Sequence, residues 1–231
     1  MIPVAILAGG LATRLRPLTQ TIPKALVEVA DAPFIVHQLR LLHREGIRDV
    51  ILCLGYLGEM VRDRIGDGAE FGLKVAYSFD GEELRGTGGA LKRALPLLGD
   101  SFFVLYGDSY LDIGYAAPLE AFRKSGLPAL MTVYRNQGRW DTSNVLFDGA
   151  KVVRYDKRNP TPDMQYIDYG LGILSSEIIA GWPEETFDLA AVYTRLAGEG
   201  RLAGFEASRR FYEIGTYQGL RETDAYLKGE A

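Results

Sequence analysis

Short apolar segments alternate with helical segments through the first half of this chain. Four runs are rich in aliphatic and aromatic side chains: residues 4–7, 47–54, 73–78 and 101–106. Runs of this length are typical of buried strands. Helical patterns lie between them at residues 31–46, at residues 57–65 and in a segment that ends near residue 96. This alternation predicts a parallel sheet flanked by helices.

The second half of the chain changes to a pattern of antiparallel pairing. Asp148-Gly149 stands between two apolar-rich runs, which is a strong hairpin signal. Further helices are predicted at residues 114–125, from Asp188 to residue 198, and through residue 227; further strands are predicted at residues 128–134, 166–174 and 202–205. We therefore expect an α/β fold with a Rossmann-like, mixed and mostly parallel sheet, flanked by helices, and an antiparallel lobe. Because no linker separates the halves, we expect one domain over residues 1–231, composed of residues 1–112 and 113–231.

The first predicted strand ends in a glycine loop that carries two cations. Ala8, Gly9 and Gly10 follow the strand, and Arg14 and Lys24 lie shortly beyond. Glycines let an anion approach the backbone N–H groups, and long cations can neutralise its charge, so this loop predicts a phosphate site. The spacing matches neither G-x-G-x-x-G nor G-x-x-x-x-G-K-[ST], which disfavours a dinucleotide fold and a P-loop ATPase.

Composition excludes several other classes. The formal net charge of −4 provides no electrostatic footprint for nucleic acid, and Trp140 and the tyrosines are not interleaved with basic residues. The single cysteine, Cys53, is expected to be a core residue of a strand, which fits a reducing cytoplasm. No segment predicts a signal peptide or a membrane span. His37 and His43 lack companions at metal-ligand spacing and are expected to be ordinary helix residues.

Two other loops carry candidate site residues. Asp108 follows the buried strand at residues 101–106, and ligands of open α/β sheets gather at such strand ends. A carboxylate beside a triphosphate needs an intervening cation, for which Mg²⁺ is the natural candidate. Gly86, Thr87 and Gly88 open a helix, where glycines allow a flat ligand to approach the backbone.

The string LAGGLATRLRPLT, followed by Pro23-Lys24, closely resembles the signature of the sugar-phosphate nucleotidyltransferases. It departs mainly at Ala12, where that family usually has glycine. The resemblance implies that Gly9, Gly10 and Arg14 embrace a nucleoside triphosphate and that Lys24 meets its phosphates. Leu7 and Ala8, which precede the glycine pair, are included in the expected nucleotide site.

The same resemblance implies roles for residues along the rest of the chain. Gly86, Thr87 and Gly88 would frame the nucleobase, and Asp108 would be the main metal ligand. Asp156 and Lys157 correspond to a motif whose acid accepts hydrogen bonds from sugar hydroxyls and whose lysine holds the sugar phosphate. The sugar pocket is implied at Asp168 and Gly170. Glu213 stands where the family has an aspartate as second metal ligand, and its longer side chain makes a water-mediated contact an alternative to direct coordination.

The resulting hypothesis is a metal-dependent enzyme that joins a nucleoside triphosphate to a sugar 1-phosphate and releases pyrophosphate. GTP, UTP, dTTP and CTP stay open as donors. The chain looks most like short bacterial members that act on heptose or hexose 1-phosphates for cell-surface glycans. Two alternatives are kept: a glycosyltransferase with a metal motif at Asp108 and Asp112, and an inactive subunit that senses nucleotide sugars.

Overall fold

The computed structural model describes residues 1–230 and forms a seven-stranded central sheet with three small two-stranded sheets. The strands are β1 (Val4–Leu7), β2 (Glu28–Val29), β3 (Ala32–Pro33), β4 (Asp49–Leu54), β5 (Lys74–Phe79), β6 (Ser101–Tyr106), β7 (Ser109–Tyr110), β8 (Ala129–Tyr134), β9 (Val145–Phe147), β10 (Val152–Tyr155), β11 (Ile167–Ser175), β12 (Leu202–Ala207) and β13 (Tyr212–Glu213). The helices are α1 (Phe34–Arg44), α2 (Gly58–Ile65), α3 (Gly86–Leu98), α4 (Ala116–Ser125), α5 (Ser176–Ala180), α6 (Leu189–Gly198) and α7 (Tyr217–Lys228).

The central sheet has the strand order β12-β8-β11-β6-β1-β4-β5. Strand β1 pairs in parallel with both β4 and β6, and β12 pairs in parallel with β8. Only β11 runs the other way among the sheet strands described, since it is antiparallel to both β6 and β8. The predicted α/β class with a mixed, mostly parallel sheet is confirmed, and strands from both halves of the chain share the sheet.

Helices cover both faces of the sheet because the strand side chains alternate between two cores. Val4 and Ile6 of β1 belong to a core shared with α1, α2 and α4, whereas Ala5 belongs to the core of α3, α5 and α6. Cys53 is 1% exposed, as expected for a core residue, and burial raises the pKa of its thiol to about 12. No helix in residues 1–230 combines the length and the apolar character needed to cross a membrane.

Most predicted elements agree with the structure to within two residues, and the main differences concern helix ends. Helix α3 continues past Pro96 to Leu98, because Leu98 is completely buried and Pro96 removes only one hydrogen bond near the helix end. Asp188 caps α6 as predicted, accepting a hydrogen bond from the N–H of Ala190 at 2.9 Å. The Asp148-Gly149 hairpin is confirmed as the antiparallel pair β9–β10.

The C-terminal helix α7 is tied to α1 by a hydrogen-bonded carboxylate. Asp112 accepts hydrogen bonds from Arg44 of α1 at 2.5 Å, from Arg209 at 2.9 Å and from the hydroxyl of Tyr226 at 3.0 Å. These donors come from three distant parts of the chain. Asp112 therefore links the first helix, the last helix and the segment that precedes β13.

We expect Asp112→Ala to lower the free energy of unfolding by about 1–3 kcal/mol, because three donors lose a shared, partly buried acceptor. Urea denaturation followed by circular dichroism measures the change. The control is Glu120→Ala, which breaks an exposed ion pair with Lys124 and should hardly move the midpoint. Equal midpoints for Asp112→Ala and the control would show that this link does not stabilise the fold.

Candidate functional site

Three loops meet at the carboxyl edge of the central sheet. Because β1, β4 and β6 are parallel and in register, Leu7 lies beside both Cys53 and Tyr106. The chain leaves the sheet at this edge through the glycine loop after β1, through Gly55 after β4 and through Gly107 after β6. Backbone hydrogen bonds join these loops, including Gly107 N–H to Leu7 O at 3.0 Å.

Two glycines are needed where the first two loops touch. A Cβ atom on Gly9 would lie 2.9 Å from the nitrogen of Gly55, and one on Gly55 would lie 2.6 Å from the oxygen of Gly9. The N–H of Tyr56 also donates to Gly9 O at 3.2 Å. In contrast, a Cβ on Gly10 would have nothing within 4 Å. Gly9 is thus required by packing, whereas Gly10 faces open space that a ligand can occupy.

Ala12 adopts the left-handed backbone conformation, with φ of 47°. This region favours glycine, which is the residue that the resembled family usually has here. The hydroxyl of Thr19 donates to the carbonyl of Ala12 at 2.8 Å and helps to hold this geometry.

Lys24 and Asp108, both predicted from the sequence, form an ion pair across the loops. The Nζ of Lys24 lies 2.7 Å from Oδ2 of Asp108, and the two side chains are 22% and 27% exposed. The loop that carries Asp108 is fixed from below by Gln38 of α1, whose amide donates to Tyr106 O at 3.0 Å and to Ser109 O at 2.8 Å. Gln38 is buried, and its sequence position gave no sign of this role.

The pairing of β7 with β13 brings Glu213 to the same place. Glu213 lies opposite Ser109 in this pair, and the N–H of Ile214 donates to Asp108 O at 2.9 Å. A Cβ on Gly215 would lie 3.2 Å from Nη2 of Arg14 and 3.6 Å from Oδ2 of Asp108. Arg14, Asp108 and Glu213, which are far apart in sequence, therefore surround one point.

The carboxylate of Glu213 is turned toward the start of α7. It accepts hydrogen bonds from the N–H of Gly215 and from the hydroxyl of Thr216, the latter at 3.1 Å. Burial raises the pKa of Glu213, and the nearby Asp108 carboxylate raises it further. The extra methylene relative to aspartate thus allows the side chain to fold back onto the backbone beside Asp108.

The carboxylates of Asp108 and Glu213 fit a hard divalent cation that is also coordinated by the phosphate oxygens of a bound compound. Residues 1–230 contain no group of three or more histidine, cysteine, aspartate or glutamate side chains arranged for a metal ion. Asp108 and Glu213 supply two carboxylates, and Mg²⁺ is commonly bound by one or two carboxylates together with water and phosphate oxygens. The site therefore suits a cation that arrives with a phosphate compound.

The glycine-loop cavity, of about 240 Å³, opens above these strand ends. Its lining includes most of the residues predicted for a nucleotide: Leu7, Ala8, Gly9, Gly10, Lys24, Gly86, Thr87 and Asp108. Asp80 also lines this cavity, is 6% exposed, and has a pKa raised by burial. Nothing in the sequence distinguishes Asp80, because an acid that follows a strand also occurs in ordinary turns.

Packing with residues 185–188 explains part of the glycine-rich segment at the start of α3. A Cβ on Gly88 would collide with the ring of Phe187, and Gly88 does not line the cavity. The hydroxyl of Thr87 donates to Asp188 at 3.0 Å and accepts from the N–H of Leu189 at 2.8 Å. Gly86, with φ of +72°, and Thr87 do line the cavity, so only part of the predicted base loop faces it.

A second space, the Asp168 cavity, adjoins the first and has a volume of about 540 Å³. Tyr106 and Asp108 line both cavities. The predicted residues that line the Asp168 cavity are Arg14, Asp108, Lys157, Asp168, Gly170 and Glu213. Other lining residues carry no signal in the sequence, among them Arg139, Trp140, Asp141, Asn144, Arg210 and Glu222. Their roles depend on contacts between distant segments, which single-sequence patterns do not reveal.

Asp168 is held in place at the floor of this cavity. Its side chain is 6% exposed and lies 3.9 Å from Nζ of Lys157. It accepts hydrogen bonds from the hydroxyl of Tyr155 at 3.3 Å and from the N–H of Gly170 at 3.0 Å. Asn144 accepts from the N–H of Asp168 at 3.1 Å. The fixed carboxylate beside a lysine suits a ligand with both hydroxyl and phosphate groups.

Asp156 does not line either cavity, in contrast to the expectation from the sequence. Its Oδ1 accepts hydrogen bonds from the N–H groups of Arg158 and Asn159 at 2.9 and 2.8 Å. These bonds are also the main reason that the pKa of Asp156 is lowered. Asp156 therefore stabilises its own turn, while the adjacent Lys157 points to the cavity.

Comparison with known proteins relates the chain to one group of enzymes. A family model described as nucleotidyl transferase matches residues 4–142. An N-acetylmuramate alpha-1-phosphate uridylyltransferase from Neisseria meningitidis is 39% identical over 225 residues, which cover 95% of this chain and 96% of the relative. A D-glycero-alpha-D-manno-heptose 1-phosphate guanylyltransferase from Campylobacter jejuni is 40% identical over 109 residues, 47% of this chain and 48% of the relative.

The fold is similar to that of a crystal structure of HddC from Yersinia pseudotuberculosis complexed with GMP-PN. The TM-score is 0.84 at 25% identity, and the match covers 98% of this chain and 100% of that chain.

Lys24→Met should strengthen binding of Mn²⁺ to the nucleotide-free protein by about tenfold, because it removes a positive charge that lies 2.7 Å from an oxygen of Asp108. Electron paramagnetic resonance of free Mn²⁺ measures the affinity. Lys92→Met is the matched control, since Lys92 forms an ion pair with Glu185 and is 17% exposed. Unchanged Mn²⁺ affinity in Lys24→Met would argue against Asp108 as a metal ligand.

Proposed function

The chain belongs to the nucleotidyl transferase family, and we propose that it transfers a nucleoside monophosphate from a nucleoside triphosphate to a sugar 1-phosphate, releasing pyrophosphate. The observation that carries this proposal is the meeting of two cavities at Asp108. One cavity offers the glycine loop and Lys24, and the other offers Lys157 and Asp168. Two phosphate compounds bound in these cavities would meet beside Asp108.

The proposed reaction needs no covalent protein nucleophile. A phosphate oxygen of the sugar 1-phosphate, already an anion at neutral pH, attacks the α-phosphorus, and pyrophosphate leaves in line. Protein side chains position the phosphates and neutralise their charge. Arg14 binds the departing pyrophosphate, Lys24 leaves Asp108 to contact the α-phosphate, and Lys157 holds the incoming phosphate.

Asp108, together with Glu213, would hold the divalent cation, which we propose to be Mg²⁺. When bound, the cation neutralises negative charge on the phosphate oxygens. Asp108 and Glu213 need such a cation, because two carboxylates beside a triphosphate would otherwise repel it. The fold-back of Glu213 onto Gly215 and Thr216 makes a water-mediated contact compatible with its position.

We assign the nucleotide to the half formed by residues 1–112 and the sugar phosphate to residues 113–231. Leu7, Ala8, Gly9, Gly10, Gly86, Thr87 and Gly88 form the proposed nucleotide segment, in which Gly88 acts through packing. Asp168, rather than Asp156, is the proposed acceptor for sugar hydroxyls, with Gly170 beside it. Guanine and uracil are the favoured bases, and a heptose or hexose 1-phosphate for bacterial cell-surface glycans is the favoured acceptor.

The glycosyltransferase alternative depends on Asp108 and Asp112 acting together at a metal. In the structure Asp112 lines neither cavity and is hydrogen-bonded to Arg44, Arg209 and Tyr226. This arrangement favours a role for Asp112 in the fold. The inactive-subunit alternative depends on Glu213 alone, and it predicts nucleotide binding without turnover.

A substrate matrix tests the proposed function. ATP, CTP, GTP, UTP and dTTP are each combined with a panel of heptose, hexose and N-acetylhexosamine 1-phosphates in the presence of Mg²⁺. Release of pyrophosphate is expected for at least one combination. Release of nucleoside diphosphate from a nucleotide sugar would support the glycosyltransferase instead, and binding without any product would support the inactive subunit.

Asp108→Ala and Lys24→Ala should each lower kcat by about a hundredfold to a thousandfold, as is usual for removal of one preorganised charged group. Pyrophosphate release at saturating substrates measures the loss. Lys124→Ala, which alters an exposed lysine paired with Glu120, is the control and should retain wild-type activity. Near-normal kcat in either site variant, with the fold intact, would remove that residue from the mechanism.

A further inference from the structure

Lys157 reaches the Asp168 cavity with its ammonium group free of hydrogen bonds. Among residues 1–230 it has no hydrogen-bond acceptor, since Oδ2 of Asp168 lies 3.9 Å from its Nζ, which is beyond hydrogen-bonding distance. Lys24 differs, because its Nζ donates to Asp108 at 2.7 Å. All three N–H bonds of Lys157 are therefore available to a phosphate group.

Two aromatic rings flank this ammonium group. Nζ of Lys157 is 5.3 Å from the ring centroid of Tyr106 and 5.7 Å from that of Tyr155. A cation is attracted to the face of an aromatic ring at separations up to about 6 Å. The Lys157 side chain is 44% exposed, and without such contacts a lysine samples many rotamers. The rings thus restrain the ammonium group without occupying its N–H bonds.

Tyr155 is itself held firmly by its surroundings. It lies at the end of β10 and is 1% exposed. Its ring packs edge-on against that of Tyr193 in α6, with 6.0 Å between the centroids, and its carbonyl accepts a hydrogen bond from the hydroxyl of Thr194 at 3.1 Å. Tyr155 lines neither the glycine-loop cavity nor the Asp168 cavity. Any effect of Tyr155 on a ligand in these cavities must therefore pass through its neighbours.

Tyr155 also contacts the carboxylate that is the proposed acceptor for sugar hydroxyls. Its hydroxyl donates to Oδ2 of Asp168 at 3.3 Å, and this is the same oxygen that lies 3.9 Å from Nζ of Lys157. The other oxygen of Asp168 accepts from the N–H of Gly170 at 3.0 Å. One buried tyrosine thus touches both groups that the proposed acceptor would meet, the cation and the carboxylate.

We propose that Tyr155 is a positioning residue for the sugar 1-phosphate, in which the ring restrains Lys157 and the hydroxyl restrains Asp168. This inference rests on the proposed function, where Lys157 holds the phosphate of the acceptor. Tyr106 supplies the second ring, but it lines both cavities and can touch the ligands directly. Loss of the restraint from Tyr155 weakens binding of the sugar 1-phosphate and leaves binding of the nucleoside triphosphate unchanged.

Comparison of Tyr155→Phe with Tyr155→Leu isolates the ring, because both variants lack the hydroxyl. The probe is the sugar 1-phosphate that releases pyrophosphate fastest in the substrate matrix, with the nucleoside triphosphate saturating. Its KM should be about fivefold higher in Tyr155→Leu than in Tyr155→Phe, while the KM of the nucleoside triphosphate stays at the wild-type value. A change in kcat alone, or an equal change in both KM values, would indicate a purely structural role and overturn the proposal.

A double-mutant cycle shows whether the ring acts through Lys157. In the Lys157→Met background, Tyr155→Phe and Tyr155→Leu should bind the sugar 1-phosphate equally, because the ammonium group that the ring restrains is gone. Dissociation constants from isothermal titration calorimetry provide this comparison independently of turnover. A fivefold difference that persists without the ammonium group of Lys157 contradicts the assignment.

Tyr115→Phe and Tyr115→Leu are the matched controls. Tyr115 is completely buried, lines neither of the two cavities, and its hydroxyl has no hydrogen-bond partner among residues 1–230. Its leucine variant should lower stability and leave both KM values unchanged.

A fluorinated ring decides the question if Tyr155→Leu does not fold. Trifluorophenylalanine incorporated at residue 155 nearly preserves the size of the phenylalanine ring, but its fluorines withdraw electron density from the ring face and weaken the attraction for a cation. The KM of the sugar 1-phosphate should be about threefold higher than in Tyr155→Phe. Equal KM values for the two rings overturn the proposal.

The outcomes separate this inference from the proposed function. If no sugar 1-phosphate releases pyrophosphate with any nucleoside triphosphate, the proposed function fails and the role of Tyr155 fails with it. If pyrophosphate is released but the ring of residue 155 does not affect the KM of the sugar 1-phosphate, only the assignment of Tyr155 fails.

Discussion

The parallel pairing of β1 with both β4 and β6 is the constraint on which the site depends. Because the three strands are in register, their carboxyl ends coincide and their loops must share one small space. That crowding explains why Gly9 and Gly55 lack side chains, since a Cβ on either would meet the other's backbone. It also places the loop of Asp108 beside the glycine loop, where Lys24 can reach it. The fold thereby dictates the site before any ligand is considered.

A second constraint joins the end of the chain to this edge. The short pair β7–β13 places Glu213 opposite Ser109, and helix α7 starts directly afterwards. Asp112 holds the same helix to α1 through Tyr226 and Arg44. The last part of the chain thus places Glu213 beside Asp108, where we propose that a metal binds, and contributes Glu222 to the lining of the Asp168 cavity. Any disturbance of this docking would affect both the surroundings of Asp108 and the Asp168 cavity.

The sequence predicted the features that depend on a local pattern. It did not predict the roles of residues whose contacts lie far away in the chain. Strand and helix positions followed from apolar runs, and the loops at Gly9 and Asp108 followed from their place after buried strands. Gly88 and Thr87 were different, because their packing against residues 187–189 is made by a segment a hundred residues away. Trp140 appeared isolated in the sequence, yet its ring stacks on Arg210. No sequence periodicity relates Trp140 to Arg210, because their contact is made only by the tertiary fold.

The two ion pairs of the site differ in what a ligand would do to them. Lys24 and Asp108 lie where the proposed triphosphate and cation arrive together, so each member of the pair can exchange its partner for a stronger one. Each of the two side chains then still has a partner of opposite charge. Nη2 of Arg210 and Oε2 of Glu222 lie 2.5 Å apart, and Arg210 also stacks on Trp140. A ligand would have to replace both contacts to separate this pair. The first pair is therefore suited to exchange its partners, whereas the second holds the segment before β13 against α7.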